Sequence, residues 1–277
     1  MSKLPVELGP VQQTLLIPLY GRAVETRKRH GLLDDPKATT IVDTLDYDFT
    51  KWDGQNVILA CMRTKVYDEI AQRFLDENPT GTIVEIGCGL NTRFERIDNG
   101  RARWFELDLP DAMALRRRFF EDEPRRTMIA ASVLDEDWMR QIDEAGGPFL
   151  FLSEAVIIYL DKVQVQQIVR QLSERFPGAI LVTDTCSSTL TTPKASQDAM
   201  KKLSIDSWFK WACDDPGEVE EWAPGIKLLD TMIMAEVSPA IRAHLPFTWR
   251  AMLMVTPWLV RWMTRNYRIN QFRLGWA

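Results

Sequence analysis

The chain is poor in the residues that most catalytic and metal sites rely on. It has 2 histidines, His30 and His244, and 4 cysteines, Cys61, Cys88, Cys186 and Cys213, with no CxxC pair. A zinc site needs clustered nitrogen and sulfur ligands, so this scatter argues against one. The same spacing offers no disulfide framework and suits a reducing, cytoplasmic compartment. Long apolar runs are missing too. The most apolar window, Trp249 to Met263, is interrupted by Arg250, Thr256, Pro257 and Arg261. It is too short and too charged to span a bilayer, and a buried or interfacial amphipathic helix is expected there, with no membrane partner. No basic segment leads into an apolar core at the N-terminus, so no secretory signal is expected.

A net charge of -5 argues against general nucleic-acid binding, which calls for a basic stripe. Acid is nevertheless absent after Glu236, where Arg242, Arg250, Arg261, Arg265, Arg268 and Arg273 follow. Two readings stand for that end: a face that pairs with acidic segments such as Asp214-Asp215 and Glu218 to Glu221, or a surface that helps receive an anionic substrate.

What is present reads as an α/β protein. Helices are expected over Gln12 to His30, from Asp35-Pro36 onward (Asp at the cap, Pro in the first turn) and over Val57 to Asn78, forming a helical cap over residues 1–80. From residue 81 to 277 the pattern becomes a core of alternating strands and helices. Short apolar strands are expected at Ile83 to Ile86, Arg103 to Leu107, Thr127 to Ala131, Phe149 to Ser153 and Ala179 to Asp184. Helices lie between them, notably Ala112 to Phe120 and Lys162 to Phe176. Such alternation implies right-handed crossovers and a largely parallel sheet. Ile226 to Met234 and Asn266 to Leu274 bring the sheet to seven strands. After the fifth strand, Ala195 to Ala223 reads as helical and is rich in tryptophan. It is expected to be a lid, about residues 192–225, over the strand ends where open α/β sheets bind ligands. Trp208 and Trp211 are its candidate substrate contacts, though single tryptophans also serve simply to pack an insertion onto a sheet.

The densest signal is Val84-Glu85-Ile86-Gly87-Cys88-Gly89-Leu90-Asn91-Thr92-Arg93-Phe94, followed by Trp104-Phe105-Glu106-Leu107-Asp108-Leu109-Pro110. A strand entering a Gly-x-Gly turn, then a second strand ending in an acid about 20 residues later, is how α/β sheets hold a nucleoside. Glycine lets the backbone approach the ligand and adopt positive φ. A dinucleotide site carries a third small residue three positions after the second glycine, but Thr92 stands there, and the Gly-Lys-Ser/Thr of a phosphate loop is missing. S-adenosylmethionine, a nucleoside without phosphate, fits better. The competing structural reading is a tight strand-to-helix turn with Asp108 capping the helix at Pro110.

That cofactor makes definite demands. Two ribose hydroxyls suit Asp108, with Glu106 deeper on the same strand. The adenine suits the end of the third strand, Ala131-Ser132-Val133-Leu134. The amino-acid carboxylate calls for an arginine, whose planar fork binds carboxylates through two bonds. The ammonium calls for an acid at a central strand end, where Glu154 stands unless it merely caps the next segment.

The ordered motifs Gly87 to Phe94, Glu106 to Pro110, Ser153-Glu154-Ala155-Val156-Ile157-Ile158-Tyr159-Leu160 and Phe176-Pro177-Gly178-Ala179 resemble the leucine carboxyl methyltransferase family, in particular its polyketide and secondary-metabolite O-methyltransferase branch. The likeness extends to Tyr20 to Glu25, Asp46 to Phe49 and Arg63, and so covers about Leu15 to Ser188. It implies a Rossmann-like methyltransferase sheet of the S-adenosylmethionine-dependent kind. The cofactor set it implies, with flanking residues, is Arg63, Glu85, Gly87, Cys88, Gly89, Asp108, Leu109, Ser132, Val133, Leu134 and Glu154. In it Arg63, with Arg22 second, matches the arginine for the methionine carboxylate, and Glu154 the acid near the amine. Tyr159 matches a tyrosine near the substrate. Two positions depart: Asn91 stands where the family has Asp, and Ala155 where it has Gly.

Methyl transfer to oxygen needs alignment and, for a weakly acidic acceptor, a base. A carboxylate is already ionised, whereas a phenol with pKa around 10 is not. With only two histidines, the expectation is a small-molecule acceptor, aromatic or carboxylated, that offers a carboxylate or an acidic phenol oxygen. Tyr20, Tyr159 and Arg22 are the candidates near the chemistry, and the C-terminal arginines help orient the acceptor. The alternatives are methylation of a protein's C-terminal carboxylate, and a nicotinamide-dependent oxidoreductase on the same fold.

Overall fold

The computed structural model describes residues 3–52, 57–192 and 208–275. Two short strands, β1 (Leu4–Pro5) and β2 (Leu45–Asp46), pair in parallel apart from the main sheet. The sheet itself comprises β3 (Thr82–Ile86), β4 (Arg103–Asp108), β5 (Arg126–Ala130), β6 (Phe149–Ser153), β7 (Ile180–Cys186), β8 (Lys227–Ile233) and β9 (Tyr267–Arg273), in the order β5-β4-β3-β6-β7-β9-β8. The first five strands run parallel, while β9 is antiparallel to both β7 and β8. The expected α/β class and seven-stranded, mostly parallel sheet are both present. The order reverses between β3 and β6, which opens a crevice at their carboxyl ends where ligands bind in such sheets.

Alternation along the strands divides the core. Val84, Ile86, Phe105, Leu107 and Phe151 face one cluster, built with the helices Asp137–Asp143 and Lys162–Arg175. Ile83, Trp104, Leu150 and Leu152 face the other, built with the helix Ile58–Glu77. Glu85 and Glu106, paired in register, lie at alternate positions among these residues and point to the second face. A third cluster joins Leu16, Leu19 and Ala23 of the helix Leu16–Thr26 to Cys88 and Leu90 of the glycine turn. The N-terminal helices are therefore packed directly on the turn.

Several expectations shift in detail. The predicted helix over Gln12 to His30 is a 3-10 turn at Gln12–Leu15 followed by an α-helix that ends at Thr26. Asp35 does cap the next helix, accepting from the Ala38 N–H. Of the helical lid expected over about 192–225, residues 193–207 lie outside the described residues. From 208 to 223 the chain is not an α-helix: it is irregular except for an isolated parallel bridge of Ala212 to Cys186 and a 3-10 helix at Pro216–Glu221. Pro216, Gly217 and the Asp215 side chain, which accepts from the Gly217 N–H, supply turn chemistry instead of helical periodicity.

Candidate functional site

The crevice widens into a cavity of about 590 Å³, within the range of small-molecule sites. Its floor is the glycine turn. Gly87 has φ +69 and Gly89 φ +49. A Cβ on Gly87 would lie 2.3 Å from a Val156 methyl group, so only glycine fits. The Gly87 and Cys88 N–H groups both donate to the Leu107 carbonyl, at 2.7 and 3.0 Å, tying the turn to the end of β4.

Asp108 ends that strand at the cavity wall. One carboxylate oxygen accepts from the Gly89 N–H at 2.6 Å and the other from the Leu109 N–H at 2.8 Å. Burial raises its pKa, and these two bonds oppose the rise. Each oxygen keeps further acceptor capacity, which suits two vicinal hydroxyls. Asp108 does not cap the Pro110–Arg116 helix, whose N-cap is Leu109 without a side-chain bond. Glu106 is fully buried and held by Arg116 and Arg126, away from the cavity.

Arg63 and Glu154, both on the cavity wall, meet at 3.1 Å. Glu154 also accepts from the Thr64 hydroxyl at 2.9 Å and from Arg93 at 2.7 Å. Burial alone would raise the Glu154 pKa, but Arg63 and Arg93 outweigh it and hold it below the usual value. Glu154 is thus an ionised acid in an ion-pair network and does not cap the following 3-10 turn, whose N-cap is Val156. Arg63 also donates to the Tyr267 hydroxyl at 3.1 Å.

Beneath these residues lies a buried network that the sequence reading did not anticipate. Arg93, 1% exposed, donates to Asp68 at 2.9 Å, to Glu154 at 2.7 Å and to Glu85. Arg96 forks onto both oxygens of Asp68, at 2.9 and 2.8 Å. Glu85 is therefore placed below the wall, as the partner of Arg93, and not in the expected cofactor layer. Asn91 accepts from the Thr92 N–H at 2.9 Å and from Arg96 at 3.3 Å.

The other expected residues divide. Cys88, Leu109, Ser132, Val133, Arg22 and Tyr159 line the cavity, and Leu134 does not. Arg22 reaches the wall but is engaged by Asp35 and the Leu90 carbonyl, both at 2.7 Å, which leaves it a structural tie. Tyr20 stacks on Phe49 at 5.4 Å, off the wall. Trp211 is buried against Trp222 at 5.8 Å in the first core and does not reach the cavity. Trp208 is half exposed and also off the wall, where its neighbour Phe209 stands instead. Met263, Thr264, Asn266 and Tyr267 represent the C-terminal segment, in place of the arginines expected there.

Ala155 has φ +54, the left-handed region that favours glycine. Its N–H donates to a carboxylate oxygen of Asp184 on β7, which holds the backbone beside Glu154 in that conformation. Asp184 is fully buried, its other oxygen has no hydrogen-bond partner, and burial pushes its pKa up to about 7 against the pull of Arg63. Since the folded state retains this proton while the unfolded chain releases it, stability falls as pH rises from about 4 to about 7 and levels off above. Asp184→Asn is expected to abolish that slope. Thermal melts should show its advantage over the parent growing from pH 5 to pH 8; a constant difference would mean that Asp184 does not titrate in this range.

The leucine carboxyl methyltransferase family profile matches residues 16–173, more than half of the chain. The chain belongs to this family. Among curated relatives of this leucine carboxyl methyltransferase family member is the tetracenomycin polyketide synthesis O-methyltransferase TcmP of Streptomyces glaucescens. It is 28% identical, and the match covers 84% of this chain and 89% of TcmP. The S-adenosyl-L-methionine-dependent methyltransferase dpfgK of Gibberella zeae is 26% identical, over 84% of this chain and 86% of that one. A duf574 family protein from Streptomyces avermitilis shares the fold with a TM-score of 0.60 at 12% identity, over 95% and 97% of the two chains. The protein is an S-adenosylmethionine-dependent methyltransferase. Family membership replaces the oxidoreductase alternative. Among the described residues no helix is long and apolar enough to cross a membrane.

Proposed function

We propose that the enzyme methylates an acidic oxygen, a carboxylate or an acidic phenol, on an apolar small molecule. The observation that carries this is the lack, among the described residues, of a poised base on the cavity wall. His30 and His244 are both exposed and away from the cavity. Glu154 is held ionised by two arginines, and burial pushes the Tyr159 hydroxyl up to about 12. Burial likewise raises Tyr267 well above its ordinary value. An acceptor that arrives already ionised needs none of them. The likeness to TcmP supports oxygen as the nucleophile.

In this reading Asp108 accepts from the ribose hydroxyls, Gly87 and Gly89 admit the nucleoside, and Ser132 and Val133 flank the adenine. Arg63 faces the carboxylate of the amino-acid tail and Glu154 its ammonium. S-adenosylmethionine supplies a sulfonium-bound methyl group. The protein aligns the acceptor oxygen with it and excludes water. Val11, Leu15, Ile17, Leu59, Ile158 and Phe209 supply the apolar wall for the acceptor.

The test is a panel assay read by mass spectrometry for a gain of one methylene. Apolar carboxylic acids and acidic phenols are expected to be methylated and ordinary phenols not. Turnover restricted to peptides with a free C-terminus would favour the protein-substrate alternative, and equal turnover of ordinary phenols would refute the reading.

A further inference from the structure

The helices Phe247–Val255 and Pro257–Thr264 each have two faces. Inward, Trp249, Met252, Leu253 and Val260 pack into the cores. Outward, Phe247, Met254, Val255, Trp258, Trp262 and Met263 are each more than half exposed. Along the second helix and its C-cap, Trp258, Arg261, Trp262 and Arg265 fall at spacings of three and four and so share one face. The Arg265 guanidinium lies 5.9 Å from the Trp262 ring. Arg250 and Arg265 are exposed on the same segment, and Arg261 pairs with Glu236, the last acid of the chain.

Large exposed apolar side chains mark a contact surface, and the charge decides which. The two helices carry arginine and no acid, and the one acid beside them, Glu236, is taken up by Arg261, so Arg250 and Arg265 leave the face net positive and complementary to an anionic layer: Trp sits at the headgroup level and Arg reaches phosphate. A symmetric contact between two copies would instead set this cationic face against itself. We propose that these two helices dock the protein peripherally on an anionic phospholipid bilayer, with Trp258 and Trp262 in the headgroup layer. The expectation of no membrane partner rested on the lack of a spanning helix, which peripheral docking does not require. Met263 and Thr264 also line the cavity, so the docked face adjoins the site and an apolar acceptor has a short path from bilayer to enzyme.

The test is co-sedimentation of the full chain with vesicles of phosphatidylcholine alone and of phosphatidylcholine and phosphatidylglycerol in equal parts. Binding is expected to the mixed vesicles and to be at least about tenfold weaker to the neutral ones. Trp258→Ser with Trp262→Ser should lose about tenfold or more in vesicle affinity with unchanged melting temperature. Arg261→Gln and Arg265→Gln should each cost about fivefold on the anionic vesicles only. The proposal fails if neither vesicle binds the chain, or if the tryptophan variant binds as well as the parent. It also fails if light scattering shows a dimer that this variant converts to monomer.

Discussion

Arg93→Met is expected to destabilise the fold by about 3–5 kcal/mol, the cost of removing one partner from a buried ionic cluster. The three carboxylates do not lose equally. Asp68 keeps Arg96, and Glu154 keeps Arg63 and Thr64. Glu85 has Arg93 as its ion-pair partner, its second oxygen already lacks a hydrogen bond, and burial holds its pKa above the usual value despite Arg93. Without Arg93 that pKa rises further. Because the folded state would then hold the Glu85 proton more tightly than the unfolded chain, the loss of stability should shrink as the pH falls toward the carboxylate range. Adding Glu85→Gln to Arg93→Met should recover about 1 kcal/mol or more at neutral pH, a coupling typical of neighbours in one network. Urea unfolding of the four proteins in the cycle measures it. Strict additivity would show that Glu85 is not what the arginine stabilises.

This network also shows where a sequence stops being legible. The strands could be placed because β3, β4, β6 and β7 are covered on both faces and so read as short, mainly apolar segments between turn residues, even where Glu85, Glu106 and Asp184 interrupt them. The glycine turn could be placed because each component has a local cause: the positive φ of Gly87 and Gly89, and Asp108 closing back onto the Gly89 N–H from the adjacent strand. The role of Arg93 has no such local cause. Its partners Asp68 and Glu154 lie 25 and 61 residues away along the chain and converge only when helix, turn and β6 are assembled. Asp184 is hidden for the same reason, since the backbone N–H it holds is 29 residues distant.

The direction of aromatic side chains is likewise not legible in the sequence. Tyr20 and Trp211 carried an expectation of ligand contact because they sit in segments that border the site. Composition cannot say which way a ring points. Tyr20 turns to Phe49 and Trp52, and Trp211 to Trp222, while the less conspicuous Phe209 and Tyr267 reach the cavity. Ala155 stands where the backbone is left-handed, a conformation that glycine adopts without strain, and Asp184 supplies the restraint that keeps alanine in it.

On the proposed role of Asp108, Asp108→Ala is expected to weaken S-adenosylhomocysteine binding by at least about 100-fold, because the two charge-assisted hydrogen bonds proposed to the ribose, of about 1.5–3 kcal/mol each, would be lost. The substitution has a second consequence, since the Gly89 N–H loses its acceptor and the turn loosens. Affinity alone therefore does not separate ribose recognition from a disturbed turn. The separation comes from a 2′-deoxy analogue of the ligand, measured by calorimetry against both proteins. If Asp108 holds the ribose, removing the 2′-hydroxyl costs the parent about tenfold or more and costs the variant almost nothing, because the group it would have bonded is gone. Asp108→Asn keeps an oxygen for the Gly89 N–H but loses the charge, and should fall between the two. An equal penalty for the analogue in parent and Asp108→Ala would assign the carboxylate to the turn alone and move the ribose contact to another residue.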